Sequence, residues 1–324
     1  MRRTSPDRTG DIHHRETDTN DSHRGLGRVG IWTMAFDWQP AGLVRDATAE
    51  LEELGYGAVW YAEGLGRDAV SQAWLILGNT RRLVVGAGVA NIAAREPIAM
   101  AAAHRALDDA YAGRFVLGLG GHRTHDTPTN AIPGRYGRPV QTMTAYLDAM
   151  DAATTVLPEP TPPRRRILAA LGPRMTELAA QRTEGALPYF APVEHTRRAR
   201  EAMGPGPLLA VELAVALADE PDRGRQLARD HVAYYTSTAP HQAANLRRLG
   251  FTEQDMRGLS STLVDAVVAH GDLDTVRTRV REHLDAGANH VCIQVLTADP
   301  ATLPMDEWRE LAFLTTEATT SRVG

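Results

Sequence analysis

Lysine is missing altogether: the 35 basic residues of this 324-residue chain are all arginine. That excludes Schiff-base chemistry, pyridoxal phosphate attachment and the phosphate-binding lysine of a P-loop. Cysteine is nearly as scarce. With Cys292 alone, an internal disulfide and a multi-cysteine metal site are excluded, which suits a reducing cytoplasm. No run approaches the ~18 uninterrupted apolar residues of a membrane span. A formal net charge of −5 gives no reason to expect nucleic acid or an anionic membrane as partner. Large apolar groups are nearly absent from residues 1–26, which are charged and rich in His and Thr. That stretch is expected to be a disordered tail, with His13, His14 and His23 solvated. It carries no apolar h-region and so does not read as a secretory signal. Residues 27–324 are expected to form one domain, since 43% apolar residues supply an ample core.

What is present is a strand–helix alternation, clearest from Leu83 to Gly120. An apolar, glycine-spaced strand (83–90) leads into a polar loop, and Pro97 opens a helix at the position where its missing N–H costs nothing. Met100, Ala103, Leu107 and Ala110 form one apolar stripe on that helix, Gly113 closes it, and Phe115 to Leu119 is a second strand. Two apolar strands joined by a helix call for a parallel sheet. The same reading gives strands at Val29–Trp32, Ala58–Tyr61, Ile167–Leu171, Gly185–Phe190, Leu208–Leu217 and His290–Leu296. Helices are expected at Leu43–Leu54, Ala69–Leu77, Pro139–Val156, Pro173 to about Arg182, Glu194–Met203, Leu273–Leu284 and Asp306 to about Thr319. A helical stretch at about 220–270 interrupts the rhythm. Eight strands point to a (β/α)8 TIM barrel with a helical insertion after the seventh strand. A doubly wound open sheet is the alternative, because counting strands does not prove closure.

Several motifs have competing readings. Gly25, Gly27 and Gly30 satisfy GxGxxG but precede the first strand, where they cannot deliver a helix to a pyrophosphate. His122 and His125, with Asp126, lack the further ligands of a metal site and read as polar loop residues; no metal is expected. Glu63 follows the second strand between Gly64 and Gly66. Barrel enzymes place acids and bases there, although a surface acid fits as well. Gly172, Pro173, Arg174 and Met175 open a helix after the fifth strand. Its free N–H groups form a natural phosphate site, to which Arg174 adds charge if it points inward, and an ordinary helix start with a surface arginine is the alternative.

GAGVANIAAREPIAMA followed by GRFVLGLG resembles the third and fourth strands of the bacterial luciferase-like monooxygenase superfamily. VGIWT, YGAVWYAEGLGRDA, AALGPRMTELAAQRTEGALPYFAPVEHTRRAREAMGPG and LVDAVVAHGDLDTVRTRVREHLDAGANHVCIQVL agree in order and spacing, and together resemble an actinobacterial F420-dependent branch. The resemblance implies a (β/α)8 barrel using coenzyme F420, with FMN as the alternative cofactor. It implies a cytoplasmic homodimer acting on a small organic substrate by hydride transfer. An FMN-dependent monooxygenase, or a barrel used only for binding, are the other readings. By resemblance a non-proline cis peptide or bulge at Gly88–Val89 backs the ring, and Asn91, Gly118 and Gly120 line the same pocket. Gly172, Pro173, Arg174 and Met175 meet the cofactor's phosphate and ribityl tail. Trp32, Phe36, Trp38 and Tyr189 wall the substrate side, while Glu63 and His122 protonate or orient substrate. One departure stands out: relatives often carry His-Pro-Tyr where this chain has Leu187-Pro188-Tyr189. The substrate itself depends on the loops 33–40 and 121–138 and on the 220–270 insertion.

Overall fold

The computed structural model describes residues 25–64, 66–121, 138–154, 156–157, 165–218 and 220–320. The tail 1–24, the loop with His122, His125 and Asp126, and most of the Pro-rich connector lie outside the described residues.

The strands are β1 (Val29–Trp32), β2 (Ala58–Ala62), β3 (Val84–Asn91), β4 (Phe115–Gly120), β5 (Arg165–Ala169), β6 (Gly185–Leu187), β7 (Leu208–Leu217), β8 (Val268–Gly271) and β9 (His290–Val295). Pairing runs in order from β1 to β7, then from β7 to β9 and back to β1, all parallel. The ring is therefore a closed eight-stranded barrel, and the open-sheet alternative is excluded. β8 stands outside it, pairing only with the end of β7 from Ala214 to Leu217. β6 stops at Leu187, short of the expected Phe190. Pro188 has no N–H to give the ladder, and Phe190 turns to a φ of +58°.

The helices that cover the barrel are α1 (Ala41–Glu53), α2 (Ala69–Leu77), α3 (Pro97–Tyr111), α4 (Pro139–Asp151), α5 (Pro173–Arg182) and α6 (Val193–Met203). The insertion supplies α7 (Pro221–Thr238), α8 (Pro240–Arg248), α9 (Glu253–Gly258) and α10 (Ser261–Val267), and α11 (Leu273–Asp285) follows β8. The expected closing helix is two, α12 (Met305–Leu311) and α13 (Leu314–Thr320), because hydrogen bonding tightens to i, i+3 at Ala312, Thr315 and Thr316.

Period-two alternation sorts the strand residues. Ile31, Val59, Tyr61, Val85, Leu117, Val211 and Ile293 face outward onto the helices. Trp32, Trp60, Val116, Ile167, Leu187, Ala210 and Cys292 face inward and fill the barrel above Leu26. Within it, Trp60 Nε1–H donates to His290 Nε2 at 3.0 Å, and His290 Nδ1 lies 2.9 Å from Gly27 O, which makes His290 a neutral Nδ1–H tautomer. A Cβ on Gly86 would stand 2.0 Å from the Trp60 ring, so that glycine is what admits the indole. The insertion has its own core, in which Phe190, Ala228, Val232, Leu246, Leu263 and Val267 pack on the ends of β7 and β8. Its effect is to set α7 beside the rim where β6 ends.

Candidate active site

The strands' C-terminal ends meet on one rim, and β3 is irregular there. Ala87 faces Tyr61 and Leu117, Ala62 faces Val89, and Ala90 faces Leu119, so the ladder slips at Gly88–Val89. A bulge of this kind turns two successive residues to the same face. A Cβ on Gly88 would fall 2.3 Å from the Trp32 ring, and the Val89 side chain joins the same interior cluster. Gly88 thus makes room for Trp32. Gly118 answers the bulge from β4: a Cβ there would be 2.3 Å from Ala87 O and 2.6 Å from Gly88 O. Gly120 meets Val89, with 2.7 Å from a Cβ to Val89 Cγ1. Past the bulge, Asn91 Oδ1 accepts from Ala93 N–H at 3.0 Å.

Glu63 holds this arrangement together. Its N–H donates to Val89 O at 2.9 Å, and its carboxylate accepts from Asn91 N–H at 2.8 Å and Ala69 N–H at 3.1 Å. Arg95 closes on both oxygens, Nη1 at 2.9 Å and Nη2 at 2.5 Å, and reaches Asp68 at 2.8 Å. The Glu63 side chain is only 8% exposed. Burial works against the Arg95 charge, but the bonds and charges of Glu63 and Asp68 outweigh it and raise its pKa. A carboxylate engaged on both oxygens fastens β2, β3 and α2 to one another. The expectation that Glu63 serves as the acid meets that obstacle. Arg95 is legible in sequence only as a polar loop residue before Pro97.

Against the bulge stands an aromatic and polar wall. Trp32 from β1 and Tyr189 from the β6 turn have ring centroids 5.2 Å apart. The Tyr189 hydroxyl lies 2.8 Å from the Tyr235 hydroxyl on α7 and donates to Gln294 Oε1 on β9 at 2.8 Å. Gln294 Oε1 can only accept, so Tyr235 O–H donates to Tyr189. Burial, reinforced by Tyr235 and Glu212, pushes the Tyr189 hydroxyl well above its ordinary value. Glu212, from the apolar run of β7, is 1% exposed, and burial pushes its carboxyl up to about 8. Glu212, Tyr235 and Gln294 are absent from the sequence expectations. The available signal was a lone acid in LAVELAVAL, at an inward position once the strand's phase is known. Leu187, where relatives often carry histidine, is fully buried beside Trp32 and Gly88.

At the fifth strand's end, Gly172 caps α5 with no side-chain capping bond, and nothing lies within 4 Å of where its Cβ would be. Pro173 contributes no N–H, and the Met175 and Thr176 N–H groups each donate to Gly172 O at 3.0 Å, which leaves the Arg174 N–H as the donor of that first turn without a backbone acceptor. The Arg174 side chain is exposed, as in the ordinary-helix reading, and Met175 is half-buried.

Two residues expected in the substrate wall are not brought to Trp32 and Tyr189. Phe36, on the 3₁₀ turn Ala35–Trp38, is buried in the outer core with its ring edge-on to Trp308 of α12, centroids 6.2 Å apart. Trp38, at the end of that turn, is 56% exposed and lies outside the barrel interior. Trp32 and Tyr189 do come together; His122 lies outside the described residues.

Buried histidines predict acid lability. Burial lowers His231, on α7, to about 4; burial with the Arg248 charge lowers His195 to about 4; burial with Arg279 lowers His283 to about 3. Unfolded, each titrates near 6.5, so between pH 6.5 and about 4 the unfolded chain binds more protons and stability falls as pH falls. Glu212, raised from 4.5, works the other way and offsets one of the three. Urea denaturation is expected to show stability dropping by about 2–3 kcal/mol per pH unit at its steepest below pH 6.5. A flat profile to pH 5 would contradict it.

A model of the luciferase-like monooxygenase family matches residues 23–290. A Mycobacterium tuberculosis protein, described by inference as a coenzyme F420-dependent oxidoreductase, is 25% identical over 89% of this chain and 97% of its own length. An F420-dependent secondary alcohol dehydrogenase, solved in complex with an F420–acetone adduct, matches at TM-score 0.71 and 13% identity over 89% of this chain and 99% of its own. The oxygenating constituent of 3,6-diketocamphane monooxygenase from Pseudomonas putida, solved with FMN, matches at TM-score 0.64 and 15% identity over 90% and 98%. At such identities the two solved structures speak for the fold.

Proposed function

The chain belongs to the luciferase-like monooxygenase family, and on that footing we propose that it is a coenzyme F420-dependent oxidoreductase moving hydride between the deazaflavin and a small organic substrate. The M. tuberculosis relative supports F420 as the cofactor. The observation that carries the reading is the shared rim: the Gly88–Val89 bulge at the end of β3 and the N-terminus of α5 after β5 are separated by a single strand, β4. These residues fit such a group. The bulge turns Val89 inward as a support for a planar ring, with Asn91, Gly118 and Gly120 beside it. Gly172 leaves space for a phosphate, Arg174 adds charge, and Pro173 and Met175 flank it. When bound, the deazaflavin supplies the hydride chemistry. Trp32, which packs on Gly88, and Tyr189 wall the adjoining side for substrate, and His122 is the proposed proton donor. Glu63 acts in this scheme by fixing Asn91 and the bulge.

Anaerobic titration tests the proposal: F420 is expected to bind, and Arg174→Ala to weaken it about 3- to 10-fold, as for an exposed charged contact. No affinity for F420 would contradict it. The FMN-bound fold relative favours a second reading, an FMN-dependent monooxygenase. Oxygen uptake that requires both reduced FMN and substrate would select it. No helix among the described residues is long and apolar enough to cross a membrane; residence in the cytoplasm belongs to the proposal. So does a homodimer. Met100 and Leu107 are buried against the barrel, which leaves Trp74 on α2 and Ile98 on α3 as the exposed apolar groups for that contact.

A further inference from the structure

β7 sends Leu208, Ala210 and then Glu212 inward, so a carboxyl group stands among aliphatic and aromatic side chains. Glu212 grips the turn after β6 at two points. Its N–H donates to Pro188 O at 3.2 Å, and its Oε2 accepts from Phe190 N–H at 2.8 Å. Phe190, at φ +58°, is in a conformation that bulky residues avoid, and the turn depends on such a grip. Between these two points sits Tyr189, at the centre of the Tyr235–Tyr189–Gln294 chain. Glu212 Oε1 is buried without a partner. Among the described residues, the titratable groups facing Glu212 are Tyr189 from the turn after β6, Tyr235 from α7 and Cys292 from β9, with no cation among them. His231 lies beyond Tyr235, its ring centroid 5.0 Å away and held neutral by burial.

An uncharged carboxyl tolerates that enclosure. An ionised one with an orphaned oxygen is costly, and of the donors facing it the two tyrosine hydroxyls are stronger than the Cys292 thiol. We propose that Glu212 is a positioning residue for Tyr189, which keeps the Tyr235–Tyr189–Gln294 chain in place while it is protonated and draws a tyrosine hydroxyl to Oε1 once it is ionised. This deepens the proposed function, in which Tyr189 faces substrate, so the rim has one geometry below the transition and another above it.

Infrared difference spectroscopy on the full chain without cofactor tests this independently of the F420 reading. A protonated-carboxyl band is expected to vanish as pH rises through about 8, and a tyrosine band assigned with Tyr189→Phe to shift at the same pH. Glu212→Gln keeps an acceptor for Phe190 N–H and has no proton to lose, so it should lack the carboxyl transition and hold the tyrosine band fixed across that range. Should that variant fail to fold, the wild-type titration decides alone. A carboxyl that titrates while the Tyr189 band stays put would overturn the proposal, as would the absence of any carboxyl transition between about pH 6 and 10.

Discussion

Gly118→Ala is expected to cost about 3 kcal/mol or more in stability, lower Tm by roughly 5–10 °C, and take cofactor binding with it. The added methyl would meet backbone on the facing strand, Ala87 O at 2.3 Å and Gly88 O at 2.6 Å, and no rotamer relieves a clash with a ladder carbonyl. β3 and β4 would have to part at the bulge. Gly42→Ala is the control: nothing lies within 4 Å of its Cβ position on α1, so a helical alanine there should be neutral or stabilising by up to about 1 kcal/mol. Thermal denaturation of the two variants checks the contrast. Equal Tm values would mean that β4 does not need a glycine to close on the bulge.

Glu63→Ala is the second large effect. It strands the Arg95 guanidinium, whose side chain is 16% exposed, and frees the Ala69 and Asn91 N–H groups at a stroke. Breaking a buried pair from one side costs about 3–5 kcal/mol, and Asp68, still 2.8 Å from Arg95, holds the expected loss near the lower figure. The double variant Glu63→Gln with Arg95→Gln should recover part of it, since neither charge is left alone. Urea denaturation reads the stability, and F420 titration should show the cofactor weakened in Glu63→Ala, because the bulge and Asn91 lose their anchor. If Glu63 were the acid for substrate instead, Glu63→Gln would keep stability and binding and lose only turnover.

Periodicity and punctuation made the barrel legible. Pro97 and Gly113 bracket α3, Pro173 opens α5, and the apolar run Leu208–Leu217 is β7 from end to end. Closure was not, because it depends on β9 returning to β1, a pairing between residues some 260 positions apart such as Val29 and Val291. Gly88–Val89 was marked by resemblance and does coincide with a bulge, yet the occupant of the space that Gly88 leaves, Trp32, is set by long-range packing. The placement of Phe36 against Trp308 was not legible, because it rests on a contact between a 3₁₀ turn and α12, far apart in sequence. Glu212 was hidden by the opposite problem: a single acid in an apolar strand carries no phase of its own. Glu63 was visible, but its saturation by Arg95 was not, since the two are brought together only by the loop after the bulge.

A crystal structure of the full chain with F420 bound tests the central claim most directly. The deazaflavin ring is expected against the Gly88–Val89 bulge, beside Trp32 and Tyr189, with phosphate at the Gly172–Arg174 helix start. A ring lodged elsewhere on the barrel, or a phosphate far from α5, would contradict it.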